Sequence, residues 1–376
     1  MAGLYVHIPF CTQKCIYCDF LSGTNLSLRG QFIDTLIAEM DCYLDFFKED
    51  KIRTIYFGGG TPSLLTGDEL KRIYDAIVER WDVSEVEEFT MECNPDDLSE
   101  EYLLKLKYLP INRLSIGVQS FVDDELKWLN RRHTAKEAFE VVKLAKRVGF
   151  ANITIDLMFA LPVQTIDSLN YSIDKALELG VQHISAYSLM FEPDSKITKL
   201  MELNRLEPLD EDTAADMFDL LSKRLIEVGY EQYEISNYAK LGFHSRHNSG
   251  YWHGMRYLGL GPSAHSFDGE KRWSNVAHTI KYIDLVRNEE LGIRNEELLN
   301  MDERFNELVF TALRTKIGVG LLELRLRFGD MRCDRLLRQA QKYIDAGNMH
   351  ISNNRLALTH SGIYISDSII SDFMIV

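Results

Sequence analysis

Apolar and β-branched residues arrive along this chain in short runs. Between the runs lie longer stretches in which apolar residues recur every three or four positions. The first kind of pattern predicts strands and the second helices. Leu4-Tyr5-Val6-His7-Ile8 opens the series as a strand ended by Pro9. Phe32, Leu36, Ile37, Met40 and Leu44 then place a helix over Arg29 to Phe47, and Ile52 to Phe57 reads as a strand. Thr66 with Glu69 has the capping-box spacing that opens a helix reaching about Trp81. Glu88 to Met91 is a strand, Glu100 to Tyr108 a helix, and Arg113 to Val118 a strand. Thr134 with Glu137 caps a helix to Val148, Asn152 to Phe159 is a strand, Thr165 to Leu179 a helix, and His183 to Leu189 a strand.

Strands alternating six times with helices predict an α/β fold, a partial (βα)6 TIM-like barrel. Pro9, Pro62, Pro95, Pro162 and Pro193 fall just beyond strands, where a residue without an N–H stops a ladder. In such folds the working residues gather at the carboxyl ends of the strands. Further on, Asp210 to Ile226 predicts an amphipathic helix and Tyr230 to Ile235 a short extended piece. From Phe243 to Phe267 the chain is rich in His, Gly and aromatics, and Gly259 to Phe267 predicts a tight turn. Helices over 302–317, 321–328 and 334–346 and a strand over 355–359 suggest a small, mostly helical C-terminal domain, winged-helix-like in outline. The expected division is 1–236 for the barrel, 237–300 for a connecting region packed on it, and 301–376 for the C-terminal domain.

Composition narrows the partners. The chain has 376 residues, 45% hydrophobic and 26% charged, enough to bury a large core, and a net charge of −15 argues against a nucleic-acid groove. No apolar run approaches a membrane span, and no basic-then-apolar leader opens the chain, so a cytoplasmic protein is expected, with peripheral membrane association and a homodimer both compatible. Six cysteines, three of them clustered, do not form a disulfide framework; Cys42, Cys93 and Cys333 read as plain thiols.

The clustered three, Cys11, Cys15 and Cys18, follow the first strand in C-x3-C-x2-C spacing. Three thiolates on one tight loop can hold three irons of a 4Fe–4S cluster and leave the fourth iron open to a small chelating molecule. A zinc knuckle or buried structural thiols would use the same residues. A closed zinc site, however, wants four ligands, and no fourth Cys or well-spaced His follows. Gly58-Gly59-Gly60-Thr61-Pro62, after the second strand, lets backbone approach a neighbour closely or simply turns. Glu92 and Gln119 end the third and fourth strands. Asp156 lies inside the apolar fifth strand, where a carboxylate is costly unless bonded.

C-x3-C-x2-C with Tyr17 before the last cysteine resembles the signature of the radical S-adenosylmethionine (SAM) superfamily. Tyr5 to Phe20 as a whole is similar to the oxygen-independent coproporphyrinogen III oxidase family and its relatives. The likeness runs from Leu4 to about Asp367 and is strongest before Phe267. It implies a radical SAM barrel whose Cys11, Cys15 and Cys18 bind a 4Fe–4S cluster. It also implies SAM contacts from Tyr5, Gly59, Gly60, Thr61, Glu92, Gln119, Arg131 and Asp156, with Tyr17 packing on adenine. Asn130 stands where many relatives have glycine before the arginine, and Ala160 and Val163 replace glycines common around Leu161-Pro162.

Two features separate the branches of that family. The active oxidases typically carry a fourth cysteine at the position of Phe20. His247-Asn248-Ser249-Gly250-Tyr251-Trp252 resembles the H-N-x-x-Y-W heme-binding string of the heme chaperone (HemW-type) branch, which implies heme as ligand through His247, Asn248, Tyr251 and Trp252 and heme-accepting proteins as partners. His244, His253 and His265 lie close enough in sequence to leave the iron ligand open. The resemblance therefore implies a heme chaperone, with an oxygen-independent coproporphyrinogen III oxidase as the alternative; no residue is assigned a catalytic role.

Overall fold

The computed structural model describes residues 2–193, 195–288 and 293–375. Its first half is the expected alternation: β1 Ala2–Ile8, α1 Arg29–Asp41, β2 Ile52–Gly59, α2 Gly67–Arg80, β3 Glu88–Cys93, α3 Glu100–Leu106, β4 Arg113–Gln119, α4 Asp123–Trp128, α5 Ala135–Val148, β5 Asn152–Phe159, α6 Ile166–Leu179 and β6 His183–Ser188. After it come α7 Lys196–Glu202, α8 Glu211–Glu227, β7 Glu231–Gln232, β8 Asn237–Ala239, α9 Arg246–Trp252, β9 Arg256–Leu260, β10 His265–Phe267, β11 Lys271–Asn275, α10 Thr279–Arg287 and β12 Ile293–Leu298. The chain closes with α11 Met301–Leu313, β13 Val319–Gly320, α12 Leu321–Phe328, α13 Asp330–Asp345, β14 Met349–Ser352, β15 Arg355–Leu358, α14 His360–Tyr364 and α15 Ser366–Phe373.

Strands β1 to β6 lie side by side and parallel, as a partial TIM-like barrel. They are buried almost throughout because helices cover the outer face, the pattern that parallel sheets require. Local chemistry sets the helix ends. Thr66, Thr134 and Thr165 each accept from the backbone N–H three residues on, and each receives the reciprocal bond. Gly149 and Gly180 end α5 and α6 in the left-handed region. Helix α2 buries Leu70, Ile73 and Ile77, one stripe at three-to-four spacing.

The sheet does not stop at β6. Antiparallel β8 and β7 extend it past β6, and on the other side β9 pairs parallel with β1, followed by β10, β11 and β12. Residues 237–298 thus add strands to the barrel sheet itself, so a boundary at 236 cuts through one continuous sheet. The expected turn over Gly259 to Phe267 is corrected on the same ground: Gly259 and Leu260 belong to β9, and the turn proper lies between Leu260 and His265. A Cβ on Gly259 would stand 2.1 Å from the His265 carbonyl oxygen, so this glycine reflects tight strand approach.

Residues 305–373 enclose a core of their own around Phe305, Leu324, Leu336, Leu356 and Phe373. The element order of this unit is helix, strand, two helices, two strands, and the sheet order β13-β15-β14 is that of a winged helix. Among the described residues no helix is long and apolar enough to cross a membrane.

Candidate functional site

The cysteine loop leaves β1 at Pro9 and is pinned by backbone bonds from Cys11 N–H to Gly23 O (3.0 Å) and Gly23 N–H to Pro9 O (2.9 Å). Its far side is tied to the link between α4 and α5: Gln13 donates to the Asn130 carbonyl (3.0 Å) and Asn130 to the Lys14 carbonyl (2.9 Å). Asn130 has φ +61°, a left-handed conformation that Asn tolerates better than most side chains. The residue that stands in place of glycine here meets the backbone demand and adds a bond that glycine would lack.

All three loop cysteines are free thiols and line one cavity of about 430 Å³ at the carboxyl ends of the strands. Thr61 Oγ1 lies 3.3 Å from Cys11 Sγ, and Arg131 donates to Cys15 Sγ (3.3 Å). These contacts fix two of the three sulfurs on the cavity wall. Among the described residues, no three His, Cys, Asp or Glu side chains converge on a single ion position. A cubic cluster asks for something else, each thiolate on a different iron, and three thiols spread over one cavity wall match that donor set.

The same cavity collects Tyr17, Gly59, Gly60, Thr61, Glu92 and Gln119, together with Arg131 and Asp156. Glu92 accepts from the Tyr56 hydroxyl (2.6 Å) and the Gly59 N–H (3.1 Å), and burial pushes its carboxyl up to about 7. Asp156 accepts from Ser115 Oγ (3.4 Å); burial pushes it up to about 6 against the hydrogen bond from Ser185. Neither carboxylate forms an ion pair with an arginine or lysine among the described residues, and Arg113 and Arg131 act on Asp156 only through their longer-range charge. Arg131 is committed to Cys15, Asn94 and the Gly117 carbonyl (2.7 Å to the last). The glycines are explained by packing: a Cβ on Gly59 (φ +105°) would meet the His7 ring at 2.6 Å, and one on Gly60 the Phe10 carbonyl at 2.6 Å. The close approach is to the cysteine loop's own base.

Tyr5 does not face this cavity. Its hydroxyl bonds His7 Nδ1 (3.1 Å), and its ring lines a second cavity of about 870 Å³ between α9 and the winged-helix unit. Tyr251 and Trp252 line that second cavity too, whereas Asn248 borders a small void inside the barrel with Glu92 and Asp156. His247 borders neither. It is fully buried; Nδ1 lies 2.8 Å from Thr54 Oγ1 and Nε2 2.8 Å from the Tyr251 hydroxyl, and its ring stacks on Tyr56 at 5.1 Å. Burial, aided by Arg113, lowers its pKa to about 3. Both nitrogens are occupied, so the expectation that His247 offers an imidazole to iron meets a ring that closes the barrel floor. Asp19 and Phe20, the latter 61% exposed, lie on the walls of both cavities.

Sequence reading passed over Tyr56, Thr90, Arg113, Ser115, Ser185 and Tyr187, which line the barrel interior beside Glu92 and Asp156. The signal was present: Thr90 and Glu92, Arg113 and Ser115, and Ser185 and Tyr187 are alternate positions on single strands, hence on one face.

Comparison with known proteins gives the following. Residues 5–176 match the radical SAM superfamily. The chain is 36% identical over 377 residues to the heme chaperone HemW of Bacillus subtilis (strain 168), covering 100% of this chain and 99% of that protein. It is 35% identical over 374 residues to the heme chaperone HemW of Lactococcus lactis subsp. lactis (strain IL1403), covering 99% and 97%. Among solved structures, the coproporphyrinogen III oxidase HemN of Escherichia coli superposes with a TM-score of 0.86 at 21% identity, over 99% of this chain and 90% of that one. At that identity the likeness speaks for the fold.

Proposed function

The chain belongs to the HemW family of radical SAM proteins, and from that premise we propose that it is a heme chaperone, binding a 4Fe–4S cluster, SAM and heme and handing heme to acceptor proteins. The observation that carries the reading is likeness over essentially the whole chain to HemW proteins, winged-helix unit included. Phe20, at the position of the oxidases' fourth cysteine, agrees with it.

In this reading Cys11, Cys15 and Cys18 hold the cluster, Arg131 and Thr61 tune two of the sulfurs, and Asn130 holds the loop in register. Glu92 and Asp156 supply the negative charge for the cationic end of SAM, with Gln119 and the Gly59–Thr61 edge beside them and Tyr17 against the adenine. SAM on a 4Fe–4S cluster would, when bound, supply one-electron radical chemistry. The residues described here would hold and orient that pair at the carboxyl ends of the strands. His247 positions α9 and, through it, Tyr251 and Trp252.

The test uses anaerobically reconstituted protein with SAM and a strong reductant. Stoichiometric heme binding, heme transfer to an apo-hemoprotein, and no decarboxylation of coproporphyrinogen III are expected. Turnover near that of an active oxidase control would replace the chaperone reading with the enzymatic one.

A further inference from the structure

The 870 Å³ cavity is twice the size of the one that serves the cluster and SAM, and nothing above uses it. It lies at the upper end of the roughly 300–1,000 Å³ typical of small-molecule sites. One wall is barrel: Tyr251 and Trp252 on α9, Tyr257 on β9 and Phe267 on β10. The other is the start of the winged-helix unit: Leu308 and Phe310 on α11, then Ile317. Flat aromatic faces on one side, with Phe310 and aliphatic groups on the other, suit a planar apolar ring system. The Trp252 indole N–H is buried here without a partner.

The charges are more telling. Four arginines line the cavity. Arg272 is paired with Glu307 (2.6 Å) and Arg327 with Glu323 (3.0 Å). Arg304 and Arg355 are not paired. Each donates only to a backbone carbonyl, Leu299 O (2.9 Å) and Gly318 O (3.0 Å), and no carboxylate among the described residues lies within ion-pair distance of either. Both are part-buried at the cavity wall, so two guanidinium forks meet the slot with no counter-ion among the described residues. A guanidinium fork is built to bind a carboxylate on two parallel bonds. The remaining acid on the wall, Asp19, sits with Phe20 where this cavity meets the cluster cavity.

Three histidines line the slot. His7 is spent on the Leu21 carbonyl (2.9 Å) and the Tyr5 hydroxyl (3.1 Å). His253 places Nδ1 2.6 Å from the Ser249 carbonyl, which fixes its tautomer and leaves Nε2 as a bare lone pair. His265 makes no side-chain hydrogen bond among the described residues.

We infer that this slot is the seat of heme, with Arg304 and Arg355 receiving its two propionates and the iron facing His253 and His265 rather than His247. The inference rests on the chaperone reading, which supplies the tetrapyrrole; the slot supplies the match to a flat apolar macrocycle bearing two carboxylates.

The experiment is a titration of the reconstituted full chain with hemin and with hemin dimethyl ester, followed by Soret absorbance. Hemin should bind the wild type at least tenfold more tightly than the ester. Arg304→Ala with Arg355→Ala should weaken hemin at least tenfold and leave the ester unchanged. The Arg304→Lys and Arg355→Lys pair, which keeps the charge, should recover part of the loss. Wild-type protein that binds hemin and ester equally overturns the propionate assignment without reference to any variant, while the chaperone reading stands. No hemin binding at all overturns both. The His253→Ala/His265→Ala pair should lose the imidazole-type Soret position, and His247→Gln should keep it; the reverse result overturns the ligand assignment.

Discussion

Replacing His247 by Ala tests whether the histidine of the H-N-x-x-Y-W string is a heme ligand or a keystone of the fold. The ring is fully buried between Thr54, Tyr56 and Tyr251, and Gly3 leaves just enough room, since a Cβ there would stand 3.2 Å from its Cε1. Truncation opens a ring-sized cavity and leaves two hydroxyls without their partner. A buried aromatic ring cut to Ala costs about 3–5 kcal/mol, and each orphaned hydroxyl adds about 1 kcal/mol or more. A loss of about 4 kcal/mol or more is expected in a urea titration followed by tryptophan fluorescence. The pH dependence carries a second signature. The folded pKa of about 3 lies below the ordinary 6.5, so the unfolded chain binds the extra proton first. Stability from this residue is complete above pH 6.5 and is lost as pH falls toward 3, on the order of 4–5 kcal/mol over that window. His247→Gln, neutral throughout, should lack that part of the acid limb. Should His247→Ala unfold within about 1 kcal/mol of wild type while its Soret band shifts, the structural reasoning fails and the ligand role returns.

Other expectations follow from single residues. Glu39 is buried in α1 and bonded to Tyr282, Gly261 and Asn275, and burial pushes its carboxyl from 4.5 up to about 7. Its contribution is therefore present below pH 4.5 and lost as pH rises through 7, roughly 3 kcal/mol; Glu39→Gln should flatten the unfolding profile across that range, and an unaltered slope would contradict the assignment. Ala160 holds φ +59°, a conformation costing an L-residue about 1–2 kcal/mol, so Ala160→Gly should raise stability by about 0.5–1 kcal/mol once the entropy of glycine is set against it, read as an upward thermal shift. Changing Cys11, Cys15 or Cys18 to Ala should abolish the brown absorbance after anaerobic reconstitution; full iron and sulfide in any one variant would remove that cysteine from the donor set. Asn130→Ala loses the bond to Lys14 and gains left-handed strain, so slower cluster incorporation with unchanged heme binding is expected, checked by iron assay against time.

The first half of the chain was legible because the strands are short runs rich in apolar residues and α2, α3, α5 and α6 open on side-chain caps; β1 to β6 follow from those signals. The second half hides its architecture. Gly259 interrupts the pattern of β9 for the sake of the neighbouring His265 carbonyl, and α9 is seven residues of Arg, His, Asn, Ser, Gly, Tyr and Trp with no apolar stripe. The helix is held from outside, by Glu88 accepting from its first N–H groups and by His247 beneath it. That the three loop cysteines face one space was readable from their spacing, whereas Tyr5, expected beside them, lines the other cavity, because a strand residue's face depends on its neighbours. The large cavity was unreadable, since its walls come from α9 and α11 and it exists only after they meet.

The pairing of β9 with β1 has a consequence in time. Strand β1 bears the cysteine loop, yet one of its two flanking partners is Arg256–Leu260, which leaves the ribosome some two hundred and fifty residues later. Until then β1 presents an unpaired parallel edge, exposed to mispairing and able to support the loop from one side only. Cluster insertion should therefore come late, after two thirds of the chain is made. A fragment ending near residue 236, although it contains every cysteine of the motif, should emerge aggregation-prone and colourless.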